Sequence, residues 1–197
     1  DDTFMDPKAF FKGSLIGVPG LFKAWRKGNV GILNAPGTGI ADDKAIYSYV
    51  DKMIVYYLGE QPKIQQVETL LCSEKIHREH VIENISKFVV KPTNGSGGNG
   101  ILIGPHASKK NREEMKKNIL KNPRNYIAQP LEILSTTPTI TDNSIEPRHL
   151  DLRPFVLSGK STWVTTGGLT RVALKKGSTI VNSSQGGGSK DTMIIDM

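Results

Sequence analysis

The stretch FVVKPTNGSGGNGILI, residues 88–103, sets two short apolar runs on either side of a glycine-dense loop. Phe88, Val89 and Val90 have the composition of a buried strand, and Lys91-Pro92 closes it. Ile101, Leu102 and Ile103 read as a second strand. Between them Gly95, Gly97 and Gly100 fit the spacing G-x-G-x-x-G. A dinucleotide-binding loop of that spacing opens a helix, whose N-terminus meets the pyrophosphate; here a strand follows. A P-loop ends in Lys-Ser or Lys-Thr, and Asn99-Gly100-Ile101 offers neither. In protein kinases the glycine loop precedes the strand lysine, whereas here Lys91 comes first. What remains is strand, glycine flap, strand: a hairpin whose backbone can approach phosphates and present several N–H groups to them. Lys91, at the strand end, can supply a point charge to the same phosphates. A flexible hairpin with an exposed lysine competes on equal terms with that reading.

Upstream, residues 19–27 read as a short helix stopped by Gly28, residues 30–33 as a short strand, and residues 34–39 (NAPGTG) as a turn-rich loop. Apolar positions at threes and fours predict one helix over residues 41–58, ended by Gly59. Residues 63–66 are a candidate strand, and residues 73–85 a helix with Ser73 as its N-cap. Downstream, residues 108–121 predict a helix stopped by Asn122-Pro123, and residues 126–129 a strand. Residues 135–147 (STTPTITDNSIEP) read as a polar loop. Strands follow over residues 150–156, 161–165 and 169–174, with turns at 158–160 and 175–178 and a glycine loop at 185–189.

Composition narrows the function classes. The chain has 197 residues, one cysteine and a net charge of +7, with 37% hydrophobic residues and 31 Gly and Pro together. That length can bury a real core. A single Cys72 excludes an intramolecular disulfide framework and a cysteine-rich zinc site. No apolar run approaches the roughly 20 residues that span a bilayer, so no membrane is expected. Residues 1–87 carry eleven basic and eleven acidic side chains, so the excess lies beyond them. Its densest part is KKNREEMKKNILKNPR, residues 109–124. Interrupted by Glu113 and Glu114 and lacking aromatic residues, it reads as a solvated helix face rather than a nucleic-acid surface. Cys72 has no spacing partner for nucleophilic chemistry, and His77 and His80 lack a third ligand. Trp25 and Trp163 are expected in cores or at an interface.

A second polar cluster punctuates the later strands: Arg148, Asp151, Arg153, Arg171 and Asn182, with His149 as a weaker candidate. Asp151 and Arg153 are two apart on a strand and share a face. Arginine clamps phosphate, while carboxylate or amide oxygen suits Mg²⁺. An outward surface ion pair is the plain alternative.

Taken in order, these motifs resemble the ATP-grasp superfamily, and more closely its circularly permuted type 2 branch, often labelled glutathionylspermidine-synthase-like. The matching stretches are DDTFMDP (1–7), GVPGL (17–21), NAPGTG (34–39), FVVKP (88–92), GSGGNG (95–100), YIAQP (126–130), RHLDLRPF (148–155), GGLTRVAL (167–174) and VNSSQGGGSKD (181–191). The resemblance implies an α+β fold, a circularly permuted ATP-grasp, with antiparallel sheets and flanking helices in two lobes around a nucleotide. It divides the chain into a permuted segment (1–86), a glycine-flap lobe (87–134) and a phosphate- and metal-binding sheet (135–197). It implies an ATP- and Mg-dependent, cytoplasmic carboxylate–amine ligase acting through an acylphosphate on small-molecule substrates. An inactive nucleotide-binding or interaction module of the same fold is the alternative.

Carried over by motif, Lys91 would touch the α- or β-phosphate. Gly95, Ser96, Gly97, Gly98 and Gly100 would form the flap, and Gln129, Pro130 and Leu131 the hinge against adenine. Asp151 would line the phosphate region, and Arg153 and Arg171 would stabilise the transferring group. Asp1, Asp2, Asp6, Asn34 and Asn182 would be the metal ligands. The family usually has Arg residues directly before Asp1-Asp2 and further domains before and after, so the resemblance implies a partial chain; Met193 stands where the family commonly has Trp.

Overall fold

A computed structural model describes residues 2–33, 36–95, 97–141, 144–182 and 186–195, Asp2 by its backbone alone. The chain divides into two compact units: one formed by residues 1–95 and 100–130, the other by 96–99 and 131–197.

The first unit carries helices α1 (Leu21–Arg26), α2 (Lys44–Tyr47), α3 (Val50–Leu58), α4 (Lys75–Glu83) and α5 (Lys109–Lys121). Its sheet has strands β1 (Leu70–Leu71), β2 (Phe88–Pro92), β3 (Leu102–Ile103) and β4 (Tyr126–Pro130), antiparallel in the order β1-β4-β2-β3. Val90 lies opposite Ala128, and both are fully buried. That face packs with Val81 of α4, Ile119 of α5, Leu70, Cys72, Phe88 and Leu102 in one core. Alternation sends Val89, Lys91, Ile127 and Gln129 to the opposite face. Ser108 caps α5 by accepting from Asn111 N–H at 3.2 Å.

The second unit is an antiparallel meander of β5 (Thr136–Ile140), β6 (Ile145–Ser158), β7 (Thr162–Val172) and β8 (Gly188–Met193). Asp151 lies opposite Arg171, and Arg153 opposite Leu169. Together the units give the expected mixture of helices and antiparallel sheets.

Several local expectations are corrected. The helix over 41–58 is two helices: Ser48 Oγ donates to the Ala45 carbonyl at 2.8 Å, and the backbone tightens and breaks there. Residues 30–33 form no strand, and Leu33 stays 90% exposed. Residues 63–66 form none either; the strand lies at β1. Glu74 rather than Ser73 occupies the N-cap of α4. Residues 135–147 are not a loop but β5 and the start of β6, because a polar run of Thr and Ile still suits a pleated surface. The strands over 161–165 and 169–174 are one strand, β7, continuous through Gly167-Gly168. Trp163 is 54% exposed rather than packed away.

Candidate functional site

In the first unit, the sheet face opposite the core carries Lys91 and Gln129 beside the buried Val89 and Ile127, and Lys44 of α2 approaches it. Lys91 Nζ donates to Gln129 Oε1 at 2.7 Å, diagonally across β2 and β4. Gln129 is buried. Lys44, the first residue of α2, donates from Nζ to the Gly95 carbonyl at 2.8 Å. Its own N–H donates to the Thr93 carbonyl at 2.9 Å, and Asp43 caps the helix by accepting from Ala45 N–H at 2.8 Å. Among the described residues neither lysine forms an ion pair. Burial pushes the Lys91 ammonium below the ordinary lysine range, and repulsion from Lys44 pushes it the same way. Such a face favours an incoming anion, because no carboxylate among the described residues pairs with either lysine.

The loop that follows has the backbone that glycine permits. Gly95, Gly97, Gly98 and Gly100 all take positive φ, at 145°, 68°, 83° and 72°. Ser96 lies outside the described residues. Strand β4 ends at Pro130, so Leu131 begins where the ladder has stopped. Sequence reading missed Lys44, which sits in a plain helical run; only the return of that helix to residues 93–95 reveals it.

In the second unit Arg171 and Arg148 are matched to carboxylates. Arg171 grips Asp151 bidentately, Nε to Oδ1 at 2.8 Å and Nη2 to Oδ2, and its Nη1 donates to Asn182 Oδ1. The Arg171 hydrogen bonds hold the Asp151 carboxyl below its ordinary range against the opposing effect of burial; the charges of Arg171 and Arg153 add to them. Asp151 in turn raises Arg171. Three of the five guanidinium N–H groups are thus engaged, and the other two have no partner among the described residues. Arg153 is exposed, and its guanidinium has no hydrogen-bond partner among the described residues. Asn182 is placed by Gly187, whose N–H donates to its carbonyl at 3.0 Å. A Cβ on Gly187 would fall 2.2 Å from the Val181 carbonyl oxygen, so this approach needs glycine. His149 Nδ1 lies 2.7 Å from the Leu134 carbonyl. Arg148, buried, donates to Glu146 Oε2 at 2.7 Å and to the Leu174 carbonyl at 3.0 Å.

The metal candidates are less complete. Asp1 and Asn34, and the side chain of Asp2, lie outside the described residues. Asp6 is 1% exposed and satisfied by backbone: Oδ1 accepts from Lys8 and Gly20 N–H at 2.8 and 3.0 Å, and Oδ2 from Phe22 N–H at 3.0 Å. Those bonds, led by Gly20, hold its carboxyl below the ordinary range and tie residue 6 to the start of α1. Among the described residues no three His, Cys, Asp or Glu side chains gather as a metal site. His77 faces Glu74 at 3.2 Å while His80 packs on Phe88 with ring centroids 5.6 Å apart, so the two histidines do not converge. No described helix is long and apolar enough to cross a membrane.

Comparison with known proteins gives a family match over residues 1–173, to "Circularly permuted ATP-grasp type 2". The chain is 53% identical over 196 residues to an uncharacterized protein of Synechocystis sp., covering 99% of this chain and 41% of that protein. It is 50% identical over 182 residues to a Frankia casuarinae protein named "Putative glutamate--cysteine ligase 2-2", covering 92% of this chain and 21% of that protein. Among solved structures, a D-alanine--D-alanine ligase from Bacillus anthracis matches with a TM-score of 0.32 and 17% identity, over 71% of this chain and 43% of that one. The chain therefore spans about two fifths or less of the curated relatives it matches.

Proposed function

The chain belongs to the circularly permuted ATP-grasp type 2 family, and from that premise we propose that it is the nucleotide-binding core of an ATP- and Mg-dependent carboxylate–amine ligase. The observation that carries the reading is the pair Lys44 and Lys91, two cations with no carboxylate partner among the described residues, one of them on the Gly95 carbonyl. They would bind the ATP phosphates, with Gly95 to Gly100 laid over them and Gln129 to Leu131 edging the adenine. The γ-phosphoryl group passes to a substrate carboxylate, and an amine then displaces phosphate from the acylphosphate. Arg153 and the two spare N–H groups of Arg171 would meet the negative charge of that group, Asp151 holding Arg171 in place. Mg²⁺, when bound, supplies neutralisation of phosphate charge. Its proposed donors are Asn182, Asp1, Asp2 and Asn34, with Asp6 joining only by surrendering backbone N–H bonds.

The substrates are small molecules, and the domains that select them would be supplied by the remainder of the longer polypeptide. The reaction would sit in the cytoplasm, where Cys72 stays reduced.

The test is ADP release by the full-length protein against a panel of carboxylates and amines, with hydroxylamine added to trap the acylphosphate as a hydroxamate. ADP and hydroxamate that depend on one carboxylate support the reading. The commitment of Asp6 to backbone N–H groups favours a second reading, an inactive nucleotide-binding module; ATP binding with no ADP release under any pairing would select it.

A further inference from the structure

Lys91 does not stand alone on its face of the sheet. Its acceptor, Gln129 Oε1, belongs to an amide whose Nε2 donates to Thr69 Oγ1 at 2.8 Å. Thr69 Oγ1 in turn donates to the Val67 carbonyl at 3.0 Å. The Val67 N–H donates to Tyr47 Oη at 2.9 Å, and Tyr47 is the last residue of α2, the helix that begins with Lys44. Residues 67–69 therefore connect both lysines.

The direction of this chain is set by chemistry at its ends. A carbonyl oxygen only accepts, so the Thr69 hydroxyl hydrogen is spent on Val67 and its lone pairs face Gln129. An ammonium only donates, so the amide must offer Oε1 to Lys91. Rotating the amide would set –NH₂ against the ammonium and oxygen against oxygen. The amide is buried, where an unpaired polar group is costly, so its orientation is held from both sides.

We propose that Thr69 is a positioning residue for phosphate binding: through Gln129 it holds Lys91 at one place and rotamer, so that the free N–H groups of the ammonium are presented to the nucleotide phosphates. This rests on the reading of the lysine face as the ATP site. Gln129 suits the task better than a carboxylate, because a neutral acceptor orients the lysine without cancelling its charge. Lysine is among the side chains with most rotamer entropy to lose on ordering, and the relay removes part of that cost before ATP arrives.

The experiment measures calorimetric affinities of the full-length protein for ATP, ADP and adenosine, in wild type and in Thr69→Val, Thr69→Ala and Thr69→Ser. Thr69→Val and Thr69→Ala are expected to weaken ATP and ADP binding on the order of fivefold, leave adenosine binding unchanged, and raise KM for ATP with kcat little altered. Thr69→Ser keeps the hydroxyl and restores wild-type affinity. Equal loss for adenosine would make Thr69 a general support of the fold and overturn the proposal. Unchanged ATP affinity in both hydroxyl-free variants would overturn it as well. A wild-type protein that binds no ATP would instead sink the site assignment on which the relay depends. If Thr69→Val does not fold, Thr69→Ala, which leaves room for a water, carries the same comparison.

Discussion

The two sheets treat positive charge in opposite ways. At the first, Lys91 of β2 and Lys44 of α2 meet, among the described residues, neutral oxygens alone, an amide and a backbone carbonyl. On the second, Arg171 is matched to Asp151 and Arg148 to Glu146. A buried cation without a counter-charge costs stability until an anion reaches it. A matched pair is already satisfied, so removing one partner strands the other. Substitutions on the first sheet should therefore be felt in binding, and those on the second in stability.

The largest effect is expected at Lys91. Lys91→Ala removes a charge-assisted contact worth about 1.5–3 kcal/mol, or roughly 10- to 100-fold in ATP affinity. Calorimetry on full-length protein reads the affinity, and thermal unfolding should show at most a small fall in Tm, because the loss of Gln129's partner is offset by removal of an uncompensated cation. A variant that binds ATP normally but melts early would erase the contrast between the sheets.

Next comes Asp151→Asn, which leaves Arg171 unbalanced in a half-buried setting. Unfolding at neutral pH should show a loss of about 1–3 kcal/mol. The sign with pH follows from the direction of the shift. Asp151 is held below its ordinary value in the folded state, so its contribution is complete above about pH 4 and fades as pH falls through the folded value. Wild-type stability should fall over that acid range more steeply than that of the variant. Parallel curves would show that the pair is worth nothing.

Much of this arrangement was legible in residue order, for identifiable reasons. Apolar runs bounded by Pro and Gly gave β2 and β4, and the glycine spacing in the loop was readable because positive φ demands glycine. That Asp151 and Arg153 share a face was legible because period-two alternation requires only the strand; that Asp151 pairs with Arg171 was not, because the register between two strands is written in neither of them. The relay was not. Thr69 and Gln129 are 60 residues apart, and a threonine in an irregular stretch carries no pattern of its own. Lys44 was hidden because a helical period says where a residue faces its own helix, not which strand the helix returns to. The β5–β6 hairpin was misread because its residues are polar as a loop is polar, while their branching suits a strand.

Lys44→Met sharpens the contrast at a smaller magnitude. It removes one of two cations, and ATP affinity should fall about tenfold, the worth of one modest charged hydrogen bond. It should also relieve Lys91 of a like charge, so the Lys91 titration moves up toward the ordinary lysine value. In wild type, where Lys91 is depressed, ATP affinity should decline with rising pH before an ordinary lysine would lose its proton. NMR of ¹³Cε-labelled lysine reads both titrations. An unshifted Lys91 in the variant would mean that the two ammonium groups do not sense one another.

The smallest effect is expected on the other face of the first sheet, at Cys72. Its side chain is fully buried in the core with Val81, Val90 and Ile119, and burial pushes its thiol up to about 11. A thiol that is both inaccessible and protonated at neutral pH does not react. Thiol reagents should therefore label the native protein only as fast as it unfolds. Cys72→Ala should cost about 1 kcal/mol for the small volume lost, with ATP affinity unchanged. The reason lies in the strand period: Val90 points into this core while Lys91 points away from it, so one residue separates packing from charge. Rapid labelling would show that the core face opens on its own. A Cys72→Ala variant with weakened ATP binding would show that the two faces are coupled, and the lysine geometry would then depend on the core behind it as well as on the relay beside it.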